Sequence, residues 1–145
     1  MSTLTIVLIV VGVLVLFVIF TFNSLIRLRN RKQEALSDID VQSKRRYDLI
    51  PNLIETVKGY AKQESGVLES VTRARTAAMN MGGSAMEKAK SEDMLSGALK
   101  SLFAVSEAYP DLKSNTNFLE LQRELSDTEN KMMASRRFFN STVMD

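Results

Sequence analysis

The chain runs from Met1 through Ile26 without a single charged side chain, and no other feature limits its possible folds as strongly. Within that run, Leu4 to Phe22 is 19 residues of Leu, Ile, Val and Phe interrupted only by Thr5, Gly12 and Thr21. A helix rises about 1.5 Å per residue, so this segment reaches roughly 28 Å, close to the roughly 30 Å hydrocarbon thickness of a bilayer. The reading is a transmembrane helix over residues 4–25, behind a short external N-terminus of residues 1–3. A cleaved signal peptide would need basic residues at its start, a shorter apolar stretch and small residues at a cleavage site. Neither Met1-Ser2-Thr3 nor Phe20-Thr21-Phe22-Asn23 supplies them. A buried core helix is the remaining alternative, and the unbroken β-branched run argues against it.

Charge asymmetry across the span sets an expected orientation. Nothing basic precedes it, while Arg27, Arg29, Arg31 and Lys32 follow it closely, so the positive-inside rule puts the C-terminal side in the cytoplasm. Residues 27–46 hold seven basic and three acidic side chains, whereas the rest of the chain has twelve basic against fourteen acidic. The positive charge therefore sits where anionic headgroups attract it. For Arg27, Arg29, Arg31 and Lys32, orientation of the span is sufficient explanation, and lipid contact comes with the location.

Beyond the span, residues 26–145 fit one domain. Leu25, Leu28, Lys32, Ala35/Leu36, Ile39 and Gln42/Ser43 recur at helical spacing, and no Gly or Pro lies between Gly12 and Pro51. The pattern predicts one helix from the membrane to about Tyr47. Asp48 and Pro51 then either start a new helix or kink a continuing one. An apolar stripe from Leu49 to about Met79 has weak points at Gly59 and Gly66, and Gly82-Gly83-Ser84 is the clearest turn. A third helix is expected from Ala85 to about Ala108, ended by Tyr109-Pro110. The last carries Phe118, Leu121, Leu125, Thr128, Met132, Ser135, Phe139 and Thr142 at alternating three- and four-residue steps, a coiled-coil-like seam with Asn115 or Asn117 as its cap. Phe118, Leu121, Leu125, Met132 and Phe139 are thus candidates for an association seam, although a seam of this length can close within the chain or against a neighbour. No strand pattern occurs, and the fold class is all-α.

The absence of His and Cys excludes Cys/His and Ser/His nucleophilic systems, the usual zinc sites, disulfides and an acylated cysteine anchor. Asp38 and Asp40, two apart, fall on different helix faces. Glu55 with Lys58, Arg123 with Glu124, and Asp127 with Lys131 read as surface ion pairs. The expectation is a protein that is not an enzyme and holds no cofactor or metal. Gly82-Gly83-Ser84 lacks the Gly-Lys-Ser/Thr of a phosphate loop. Lys44-Arg45-Arg46 has no interleaved aromatics and reads as a solvated or intramolecularly paired cluster, so no nucleic acid is expected. Met79, Met81, Met86 and Met94 read as core filling in preference to an adaptable binding surface.

Several ordered blocks resemble the LemA family of bacterial membrane proteins. They are Arg27-Leu28-Arg29-Asn30-Arg31, Ser37 to Gln42, Lys44 to Leu53, Glu55 to Tyr60, Ala108 to Lys113, Asn117 to Gln122 and Glu129 to Asn140. The resemblance implies an antiparallel up-and-down helical bundle behind the anchor, with a cytoplasmic body. Leu36 stands where the family pattern has a tryptophan, and the family's chains usually continue past the point corresponding to Asp145. The resemblance brings little mechanism. The functional expectation is a membrane-anchored, non-enzymatic helical scaffold that self-associates, with the lipid bilayer and further copies as partners. The alternative is an adaptor or regulator of a membrane-embedded partner, such as a membrane protease or an envelope-stress system.

Overall fold

The computed structural model describes the backbone of residues 2–144 and their side chains except those of residues 85, 143 and 144. Met1 of the expected external N-terminus and the Ala85 side chain of the expected third stripe lie outside the described residues. Five helices are present: α1 (Thr3–Lys58), α2 (Ser65–Asn80), α3 (Ala85–Ser106), the single turn α4 (Pro110–Lys113) and α5 (Thr116–Met144), with no strand among the described residues. The all-α expectation holds. Among the described residues one helix, α1, is long and apolar enough to cross a membrane; its most apolar 18-residue window has a mean hydropathy of 3.2 and no buried residue.

The residues cluster into two compact units, one of Met1–Asp40 with Met133–Asp145, the other of Val41–Met132. In the first, the Lys32 ammonium lies 5.8 Å from the centre of the Phe139 ring, a cation–π contact that ties α1 to α5. In the second, α5 runs antiparallel to α1: Asn117 donates to the Thr56 hydroxyl at 3.0 Å, and two turns and more along α5 Glu124 and Asp127 meet Arg45. The core of this unit takes Ile50, Leu53 and Val57 from α1, Leu68 and Val71 from α2, Leu95, Leu99 and Leu102 from α3, Leu112 from α4, and Phe118, Leu121 and Leu125 from α5. Each side chain of this size contributes about 1.5–3 kcal/mol when fully buried. Phe103 and Phe118 meet edge to face, centroids 6.1 Å apart.

Helix α1 outruns its expected end at Tyr47 by eleven residues, and Pro51 lies inside it. Proline removes the N–H that would serve the carbonyl four residues earlier. That carbonyl belongs to Tyr47, and the Arg75 Nε of α2 donates to it at 2.8 Å. With the orphaned acceptor served and Ile50, Leu53 and Val57 buried, the helix passes the proline and stops only before Gly59. The stripe expected from Leu49 to Met79 is therefore split at 59–64, the first of its two weak glycines, while Gly66 is taken into α2.

Helix α3 opens with a reciprocal capping box: Glu87 N–H donates to the Ser84 hydroxyl and Ser84 N–H to the Glu87 carboxylate. For α5 the two candidate caps resolve to Asn115, whose side-chain oxygen accepts from Phe118 N–H at 2.9 Å. Asn117 instead pairs with Thr56. Asn115→Ala is expected to lower the unfolding free energy by about 1 kcal/mol, read by urea titration of the detergent-solubilised chain. Asn117→Ala, which removes only an exposed side-chain contact, is expected to cost less.

Candidate functional site

Among the described residues, the second unit carries a cluster of buried charged side chains inside a largely apolar bundle. It starts on α1, where Ser43, Arg46 and Ile50 fall one turn apart on the inward face, so that the periodicity burying Ile50 also buries a guanidinium. Across from it on α3, Glu92 lies one turn before Ser96 and on the stripe of Leu95 and Leu99. Arg46 and Glu92 are each only 2 % exposed, with Nη1 3.2 Å from Oε2, and Arg46 Nη2 donates to Ser96 Oγ at 2.7 Å. Tyr47 donates its hydroxyl to the other carboxylate oxygen, Oε1 of Glu92, and lies near the Ala78 carbonyl of α2. Glu92 is thus held by two donors from adjacent residues of one helix.

Burial raises the Tyr47 hydroxyl far above its ordinary pKa, and the hydrogen bond to Glu92 and its negative charge add to the effect. The phenol therefore stays protonated and donates. A folded-state pKa raised above the unfolded one contributes stability that is complete below about pH 10 and declines as the pH rises further. Unfolding midpoints measured from pH 8 to 11 are expected to fall at the alkaline end, less steeply in Tyr47→Phe. Tyr109, raised by its hydrogen bond to Glu64, adds a contribution of the same sign that Tyr47→Phe leaves in place.

Chemically, this cluster is closed. Its carboxylate is consumed by an arginine and a tyrosine, and neither charged group reaches solvent; what it does is join α1, α2 and α3. Gln42 Oε1, Ser43 Oγ and Arg46 Nε are buried without a protein partner on the same side of α1. Among the described residues no three His, Cys, Asp or Glu side chains converge as a metal site would require. A surface groove of about 340 Å³ lies between α3 and α5, lined by Ser96, Gly97, Lys100, Phe103, Gln122 and Glu129.

The structure places the sequence candidates unevenly. Arg27, Arg29, Arg31 and Lys32 are all exposed. Along the proposed seam, Phe118, Leu121 and Leu125 belong to the chain's own core and Met132 is buried, with Phe139 half-buried under Lys32. Phe118, Leu121, Leu125 and Met132 thus pack within the chain. The basic triplet divides: Lys44 is exposed, Arg45 reaches Glu124 and Asp127 at 3.4 and 3.7 Å, and Arg46 takes the buried carboxylate. The Asp127–Lys131 and Glu55–Lys58 pairs form, but Glu124 pairs with Arg45 in place of Arg123.

One reading is corrected outright. Met79, Met81, Met86 and Met94 do not fill the core; all four are exposed, Met86 by 82 %. Met79, Met81 and Met86 stand at or beside the α2–α3 connection, where a helix end offers no second layer to pack against, and Met94 lies within α3 on a face turned away from the Leu95 and Leu99 stripe. The buried role of Glu92 was missed as well. Its one signal was position: it precedes Leu95, Leu99 and Leu102 at helical spacing, on the face that must be apolar.

The LemA family pattern matches residues 35–145, which include the polar cluster and the whole second unit. A curated relative, protein LemA of Metamycoplasma hominis, is 31% identical over 121 residues, covering 81% of this chain. The chain spans about half the length of that relative, 54%. With a helical bundle of this composition and a family match across most of its length, the chain belongs to the LemA family.

Proposed function

We propose that the chain is a membrane-anchored, non-enzymatic helical scaffold, with its N-terminus outside and its bundle beside the cytoplasmic face of a bacterial inner membrane. The observation that carries the reading is the exposure of α1 from Leu4 to Ile26: an uncharged apolar surface this long has no cover within the chain. Lipid is the cover that its length fits. The basic residues that follow support the orientation.

Because the chain has no cysteine, single substitutions report cleanly. Ser2→Cys is expected to react with an impermeant maleimide on intact cells, and Lys44→Cys only after the membrane is opened. The reverse pattern overturns the orientation, and release of the protein by alkaline carbonate overturns the anchor.

What the scaffold holds divides into two readings. Self-association remains the first, but Phe118, Leu121, Leu125 and Met132 are spent on the bundle, so copies would meet through other surfaces. An adaptor for a membrane-embedded protein is favoured by the exposed methionines at 79, 81, 86 and 94, since flexible thioethers suit adaptable contacts, and by the α3–α5 groove. Cross-linking in cells separates them. A ladder of identical subunits supports self-association, and a single heterologous band supports the adaptor.

A further inference from the structure

The end of α5 raises a question that the bundle does not answer. Among its described residues no carboxylate follows Glu129, while Lys131, Arg136 and Arg137 do, and Phe138 is 44 % exposed beside the exposed Arg137. An exposed phenylalanine beside an exposed arginine suits a surface that is anionic outside and apolar beneath, provided the pair stands near one. The pair's position along α1 meets that condition.

Helix α5 runs antiparallel to α1 in the second unit, and in the first its Phe139 stands at Lys32. Lys32 is six residues past Ile26, the last residue of the uncharged run, which is roughly 9 Å along a helix. The headgroup layer extends about 5–8 Å beyond the hydrocarbon on each side. The backbone of Phe139 and its neighbour Phe138 therefore lies a few ångströms beyond that layer, and that of Arg137 roughly 3 Å further out, distances that the ring and the long snorkelling side chain reach back across. On α1, no carboxylate occurs before Glu34, so the stretch nearest the span offers only Arg27, Arg29, Arg31 and Lys32.

We infer that Arg137 and Phe138 of α5 join Arg27, Arg29, Arg31 and Lys32 of α1 in a two-helix platform that binds the anionic phospholipid surface. The ring packs against the headgroup layer from its outer side, and the cations meet the phosphates. The Lys32–Phe139 contact holds the two helices side by side at this level, so that α5 approaches the lipid together with α1. This inference rests on the anchor reading above, and the experiment keeps the two apart.

The full chain is reconstituted into nanodiscs of phosphatidylcholine alone or with an equal part of phosphatidylglycerol. It carries one nitroxide at a time at Leu14→Cys, Asp38→Cys or Phe138→Cys. Collision with oxygen, which favours lipid, is compared with collision with a water-soluble nickel chelate. Position 14 is expected to be lipid-immersed in both discs, and position 38, exposed and roughly 18 Å past Ile26, to be water-exposed in both. Position 138 is expected to lose most of its nickel accessibility in phosphatidylglycerol discs, and Arg137→Gln to restore much of it.

If position 14 is water-accessible, the anchor itself fails. If position 14 is in lipid while 138 matches 38 in both discs, the platform is overturned and the anchor stands. Equal protection in both lipids overturns the anionic assignment. Protection that follows the number of chains per disc identifies a second copy as the occupant and likewise overturns it.

Discussion

Glu92→Ala is expected to lower the unfolding free energy of the detergent-solubilised chain by about 3–5 kcal/mol, the cost of stranding a buried charge when its partner is removed. The stranded group is the Arg46 guanidinium, 2 % exposed, whose other contact is the Ser96 hydroxyl. The same substitution also takes the acceptor from the Tyr47 hydroxyl. Removing both charges together is a different experiment. In Arg46→Met with Glu92→Met, two apolar side chains of similar length replace a pair whose mutual attraction was offset by its desolvation, and most of the lost stability is expected to return. Urea unfolding followed by circular dichroism measures all three variants. A double variant as unstable as the single one would mean that the pair is worth far more than its desolvation costs. Arg45→Ala provides the contrast: its partners Glu124 and Asp127 are partly solvated, and the expected loss is about 0–1 kcal/mol.

The second large effect lies at Pro51. A proline within a helix costs about 3 kcal/mol relative to alanine, and position 51 is exposed, so Pro51→Ala meets no packing obstacle and is expected to stabilise the chain. The gain is less than the full figure, because proline also restricts the unfolded chain. The informative measurement is the cycle with Arg75→Ala. In the natural background that change leaves the Tyr47 carbonyl without a donor and is expected to cost about 1–3 kcal/mol. With alanine at 51 the helix supplies its own N–H to that carbonyl, and Arg75→Ala is expected to cost markedly less. Strict additivity would remove the assigned role from Arg75.

These two sites also mark where sequence reading stopped. Local features were legible: the apolar run of α1, the capped start of α5, the turn at Gly82-Gly83 and the three-and-four stripe from Phe118 are all written in neighbouring residues. Pro51 left two outcomes open because its resolution comes from Arg75, 24 positions away and on another helix. Arg46 looked like Lys44 and Arg45 because a triplet of cations says nothing about which member faces inward. The helical phase of Ser43, Arg46 and Ile50 did contain that answer, but Glu92 had to be known as its partner first. The methionines were misjudged for a related reason. Hydrophobicity predicts burial on a helix face, but a short connection between helix ends has no opposing surface to bury against, and Met94 falls on an exposed face of α3.

The polar cluster has a consequence for how α1 can slide. Leucine and valine contacts along antiparallel helices are nearly interchangeable, and a one-turn slip of about 5.4 Å would exchange one apolar neighbour for another at modest cost. Arg46, Tyr47 and the carbonyl left bare by Pro51 are not interchangeable with anything a turn away. Such a slip would part Arg46 and Tyr47 from Glu92 and Arg75 from its acceptor in the same movement. The second unit therefore has a single seating of α1, fixed by three groups on the two adjacent residues Arg46 and Tyr47.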